Sequence, residues 1–223
     1  MEEPEWIYED DPKRMAPISE SSGEFISPID VDMMRESWDY IQDGNNMRGD
    51  TLPWESDFRF KPKTLNVWAG INAHGKSVAL QQCALHWATH DRRIAIWSQE
   101  MPCETVYANL IRQASAIPKP TLEFHGHVSS WINNKIHVWH QPSMRFEDVF
   151  NFLNEAKKLD INHVVIDNLT AIGLTSDNLW MHQRELIVHL KKACMELDIV
   201  IHVVHHVRTV SYTHLTLPTS DLV

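Results

Sequence analysis

The sequence predicts an α/β fold: a mostly parallel sheet with helices on both faces. Three observations carry that expectation. From Leu65 onward, short apolar runs rich in β-branched and aromatic residues alternate with helix-like segments. The first run passes directly into Gly70-Ile71-Asn72-Ala73-His74-Gly75-Lys76-Ser77, a G-x4-G-K-S phosphate-binding loop that opens a helical pattern. The later runs end in polar or acidic residues, and ligands in open sheets of this kind sit outside the carboxyl ends of the strands.

Taken in order, residues 1–29 are acidic, rich in Ser, Glu and Pro, and poor in aliphatic residues, so they read as a disordered leader. Asp30 to Gln42 sets Met34, Trp38 and Ile41 at helical spacing, with Gly44 as a stop, and a connector runs on to residue 60. The apolar stripe of that helix needs a cover, on its own domain or on a neighbouring subunit. Strands are expected at Leu65–Ala69, Ile94–Ser98, Ile136–Trp139, His163–Ile166 and Ile199–Val204. Helices are expected at Lys76–Thr89, Cys103–Ala114, Phe146–Leu159 and Trp180–Leu197.

Charge and cysteine usage narrow the function classes. A length of 223 residues allows one large domain with a substantial core. The formal net charge of −10 is concentrated in residues 1–60, which hold 16 acidic and 5 basic side chains, and the remainder is close to neutral. A strongly basic face, which would have pointed directly to nucleic acid, is missing, although a ring can gather a few basic loops in one channel. Cys83, Cys103 and Cys194 show no paired spacing, so they read as reduced thiols rather than a disulfide framework or a zinc site. No apolar stretch approaches the ~20 residues needed to cross a bilayer, and the acidic N-terminus is not a signal peptide. A cytoplasmic, membrane-free protein is expected.

The candidate site begins at the phosphate loop. A loop that wraps a triphosphate turns sharply and aims several backbone N–H groups inward, which glycine permits. Gly70, Ile71, Asn72, Ala73, His74, Gly75, Lys76, Ser77 and Val78 form the expected binding set for ATP or another NTP. Lys76 would reach the β/γ-phosphates and the Ser77 hydroxyl would ligate Mg²⁺. Trp97-Ser98-Gln99-Glu100-Met101-Pro102 puts Glu100 just past a strand, before a helix opened by Pro102. A carboxylate there could polarise the attacking water; the plainer reading is a solvated Glu favoured by the helix dipole.

Val164-Val165-Ile166 closes on Asp167-Asn168, an acid suited to hold Mg²⁺ directly or through a water. The last run leads into His205-His206-Val207-Arg208, where His205 is expected to touch the γ-phosphate, with a structural histidine as the plainer reading. His125, His127, His137 and His140 invite a metal reading. Zinc, however, needs three or four converging ligands, and these straddle an insertion and a strand without Cys or Glu at ligand spacing, so no such site is expected. His202 lies on a strand and reads as buried with a partner.

Taken together, the phosphate loop, Trp-Ser-Gln-Glu-Met, Val-Val-Ile-Asp-Asn-Leu and Val-Val-His-His-Val-Arg resemble one family. They look like the RecA-type ATPase domain of the DnaB-type hexameric replicative helicases, in the phage and mitochondrial primase-helicase branch. The resemblance runs from about Leu52 to Arg208. It implies a RecA-like P-loop NTPase, an ATP-driven homo-hexameric ring that translocates on single-stranded DNA and separates the duplex. A primase or other replisome protein would be a partner, and a bacterial host cell the setting if the gene is phage-encoded. By position, Lys76 and Ser77 match the phosphate and Mg²⁺ residues, Glu100 the catalytic base, Asp167 the Mg²⁺ acid and His205 the γ-phosphate sensor. The Asp30–Gln42 helix resembles the linker helix that docks on the adjacent subunit in such rings.

The tail departs from that pattern. Residues 209–223 lack helical periodicity, and Val210 to Thr219 look like the in-frame translation of a transposon-end sequencing adapter. The core, 61–208, is therefore expected to be partial at its C-terminal end and 209–223 to be non-native. In the family, further strands, DNA-binding loops and an arginine finger lie beyond this point, so weak hydrolysis and no ring closure are expected of this chain. Two rivals stand beside the helicase reading. One is a RecA-like recombination or signalling ATPase without unwinding, the other a nucleotide-binding interaction module that uses ATP as a structural ligand.

Overall fold

The computed structural model describes residues 31–42, 49–71, 73–141, 145–168 and 179–206. The leader, Asn72, the Val207-Arg208 pair and the suspected tail lie outside these residues. Five parallel strands form the central sheet: β3 (Leu65–Gly70), β4 (Ile94–Ser98), β5 (Ile136–Val138), β6 (His163–Asp167) and β7 (Val200–His206). Their spatial order is β3-β7-β6-β4-β5, so every connection crosses over and every carboxyl end lies at one edge of the sheet. The register sets Gly70 opposite His206, Ser98 opposite Asp167 and Ile166 opposite Val203, so β3 and β7 run about two residues beyond β4 and β6 at the same edge.

Both sheet faces are covered, and the strands show it by apolar residues at successive positions. On one face Ala95, Trp97, Val164, Ile166, Ile201 and Val203 pack with α5 (Phe146–Lys158) and α6 (Leu179–Leu197). On the other, Ile94, Ile96, Val165, Val200 and Val204 pack with α2 (Lys76–Thr89), α3 (Cys103–Ser115) and α4 (Leu122–Ile132). Trp87 and Trp97, one in each core, are fully buried.

Two elements go beyond the sequence expectation. Helix α4 fills a stretch whose polar and histidine positions mask its periodicity; it is capped by Thr121, whose Oγ1 accepts from the Phe124 N–H at 3.3 Å. A small hairpin, β1 (Asp50–Thr51) with β2 (Arg59–Phe60), precedes the sheet. It is anchored by Phe60, which meets Trp87 edge-on at 5.4 Å and stacks on Trp68 at 5.9 Å between ring centroids. Gly49 enters it at φ 116°, and a Cβ there would lie 2.6 Å from the Phe60 carbonyl oxygen, so only glycine fits. Upstream, α1 (Val31–Gln42) matches the expected helix, and its Met34, Trp38 and Ile41 remain exposed.

Candidate nucleotide site

The phosphate loop joins β3 to α2. Gly75, the residue before the helix, has φ 74°, and open space surrounds the position a Cβ would take. Ala73 is also left-handed, at φ 62°. Lys76 opens α2, and its Nζ donates to the carbonyls of Gly70 at 2.8 Å and Ile71 at 2.7 Å. The ammonium thus closes the loop on itself, with the N-terminus of a 14-residue helix directly behind it. Ile71, His74 and Val78 are exposed along the loop's outer side.

Alternation along the strands decides which polar ends face this loop. On β6, His163 and Val165 point to the α2 face, so Asp167 does too. Asp167 is buried at 3 % exposure and its Oδ1 lacks a hydrogen-bond partner among the described residues. Burial pushes its carboxyl up; a hydrogen bond from Ser77 and the electrostatic pull of nearby His206 and Lys76 oppose that, while the Glu100 charge adds to it.

Glu100 follows β4 in a loop pinned by two backbone contacts. The Gln99 N–H donates to the Asp167 carbonyl at 2.6 Å, and the Met101 N–H to Ser98 Oγ at 3.1 Å. The Glu100 carboxylate, half exposed, accepts on Oε1 from Asn168 Nδ2 at 2.5 Å and meets His206 Nε2 at 2.7 Å.

The structure therefore brings Lys76, Ser77, Glu100 and Asp167 together. On β7, Ile201 and Val203 face α5 and α6, so His205 belongs to that face, whereas His206 shares the α2 face with Val204 and is the histidine that reaches Glu100. Sequence reading singled out neither Asn168 nor His206 for the site; the period-2 pattern of β7, counted from Val204, was the signal available for His206. The other histidines disperse: His125 pairs with Ser129 at 3.3 Å, His127 with Glu123 at 3.9 Å, and His140 meets the Cys103 thiol at 3.5 Å.

Comparison with known proteins places this geometry in context. A family model described as the AAA domain matches residues 48–211. Among curated proteins, none matches the chain. One solved ATPase domain superposes with a TM-score of 0.71 at 16% identity, covering 83% of this chain and 73% of that one. A DnaB-like replicative helicase, solved in a study of its interactions with primase, gives 0.67 at 17% identity, covering 84% of this chain and 49% of that one. At such identities the likeness establishes the fold, and the chain spans about half the length of the second structure.

Proposed function

This chain belongs to the AAA domain family, and from that premise we propose that it is the ATP-hydrolysing motor domain of a replicative DNA helicase, moving on single-stranded DNA and unwinding duplex. The observation that carries the proposal is the meeting of Lys76, Ser77, Glu100, Asp167 and His206 at the carboxyl ends of four parallel strands.

In this reading Lys76 turns from its two loop carbonyls to the β/γ-phosphates, joined by backbone N–H groups of the loop and of the first turn of α2. A hydroxyl and a buried carboxylate with an unpartnered oxygen suit Mg²⁺, a hard cation that takes oxygen ligands, so Ser77 and Asp167 would hold it. When bound, the ion neutralises charge developing on the phosphates. Glu100 orients the attacking water and receives its proton. The γ-phosphate contact expected of His205 falls to His206, because its Nε2 already lies on Glu100.

The wider organisation follows the same proposal: a leader at 1–29, a linker helix and connector at 30–60, the motor core at 61–208 and an adapter-derived tail at 209–223. The exposed stripe of α1 supports docking on a neighbouring subunit of a homo-hexamer. A primase or other replisome protein is the partner class, and the cytoplasm of a bacterial host the setting. Among the described residues no helix is long and apolar enough to cross a membrane.

The test is ATP turnover with and without single-stranded DNA, followed by strand separation on a forked duplex. Turnover stimulated by the single strand, with unwinding, supports the proposal. Turnover without strand separation would favour a recombination or signalling ATPase. Tight ATP binding without any turnover, even in the intact protein, would favour an interaction module.

A further inference from the structure

We propose that Asn168 is the positioning residue for Glu100, the fixed donor that keeps the catalytic carboxylate aimed while His206 changes partners. The inference rests on the reading of Glu100 as the general base. It starts from a mobility problem. Glu100 is a long side chain, 46% exposed, on a loop after β4, and such a side chain is free to sample several rotamers. A base that must meet one water in one place cannot be left so free.

The loop backbone is already held by Gln99 and Ser98, so what remains is the side chain itself. Two donors reach it, and both use Oε1: Asn168 Nδ2 at 2.5 Å and His206 Nε2 at 2.7 Å. Oε2 makes no hydrogen bond among the described residues, and it is the oxygen left for a water.

The two donors are unlike each other. His206 is the group placed to contact the γ-phosphate, and its single Nε2 cannot serve phosphate and carboxylate equally. Once nucleotide draws it away, Glu100 loses that contact. Asn168 is buried, at 3% exposure, and directly follows Asp167, the last residue of β6, so its amide has less freedom than the partly exposed His206 ring at the end of β7. Its residue type also fits the task. An amide donates without adding charge, whereas an acid here would set a further negative charge beside Asp167, whose carboxyl burial and the Glu100 charge already push up.

The experiment is a double-mutant cycle between Asn168→Ala and Glu100→Gln, read as kcat and KM for ATP alongside nucleotide affinity by calorimetry. Asn168→Ala is expected to lower kcat about 10- to 100-fold, the scale of a 1 Å misplacement. Nucleotide affinity should stay within about twofold. In the Glu100→Gln background, Asn168→Ala should change the residual rate by no more than about twofold, because residues that act through one another are not additive. Asn168→Asp, which keeps the shape and removes the donor, should lose at least as much as the alanine variant.

An equal loss in both backgrounds would overturn the proposal, as would a loss of affinity matching the loss of rate. A second measurement needs no turnover. The side-chain amide resonances of Asn168 in the ¹⁵N-labelled chain should lie downfield and move upfield in Glu100→Ala; amide signals indifferent to that change would equally overturn the contact. If Glu100→Gln alone turned over at the wild-type rate, the general-base reading itself would fall, and the amide shift would still judge the contact.

Discussion

Lowering the pH from about 7.5 to about 5.5 is expected to cost the fold up to about 3 kcal/mol, through two buried histidines that have no place for a second proton. The Trp68 indole N–H donates to His202 Nδ1 at 3.3 Å, which assigns the His202 proton to Nε2. That N–H donates to His163 Nδ1 at 3.0 Å, and His163 Nε2–H donates in turn to Asp50 Oδ2 at 3.0 Å. Trp87 covers both rings, at 4.0 and 4.7 Å between centroids. Adding a proton anywhere along this line sets one N–H against another.

Burial holds both imidazoles below the usual histidine range, His202 furthest; the Asp50 carboxylate pulls His163 partly back, and Arg92, on the far side of Asp50, opposes it. In the unfolded chain each titrates near about 6.5. The unfolded state therefore binds more protons below that value, so the stability is fully present above it and is lost as pH falls toward the native values. One unit below, each histidine that stays neutral when folded costs about 1.4 kcal/mol, hence at most about 3 for two. Asp50, itself held low by His163 and Arg92 against its burial, stays charged throughout this window. Urea unfolding followed by tryptophan fluorescence at the two pH values measures the difference. A change below about 0.5 kcal/mol would refute the assignment of neutral, proton-locked rings.

Three further outcomes are expected. Asp50→Ala at neutral pH leaves the His163 N–H and the Arg92 guanidinium without their carboxylate, and should lower stability by about 2–3 kcal/mol in the same urea assay. Lys76→Ala should weaken ATP binding about 10- to 100-fold by calorimetry, the worth of a charged hydrogen bond to phosphate. Glu100→Gln should bind ATP normally and hydrolyse it about 10²–10⁴-fold more slowly in a steady-state assay.

Much of the fold was legible because each core strand is a short, mostly apolar run set between helical patterns, and the phosphate loop fixes where the first one ends. Lys76–Thr89 and Ile94–Ser98 were read to the residue. What the sequence hid depends on contacts made across long separations. The hairpin at Asp50–Phe60 has two residues per strand, too few for a period, and is held by Trp87 and His163, which bond its first strand from 36 and 113 residues away. Asn168 stands beside Asp167 in the motif, yet its amide reaches Glu100, 68 residues earlier, across the β4–β6 pairing. For His205 and His206 the information was local, since the alternation of Val203 and Val204 already separates the two faces.

The two ends of the sheet treat buried polar atoms in opposite ways. At the amino end, Trp68, His202, His163, Asp50 and Arg92 form a chain in which each ring nitrogen and each carboxylate oxygen has a partner. At the carboxyl end, Gln99 Nε2, Asp167 Oδ1, His205 Nδ1 and His206 Nδ1 are buried without one among the described residues. An unpaired buried donor or acceptor costs about 1–3 kcal/mol, so gathering four at one edge is a burden that packing alone gives no reason to keep. A ligand that brings both acceptor oxygens and a cation would relieve part of it, and a triphosphate with its Mg²⁺ has that composition. The amino end is thus saturated within the chain itself, whereas the carboxyl end keeps the unpaired groups that a bound nucleotide would complete.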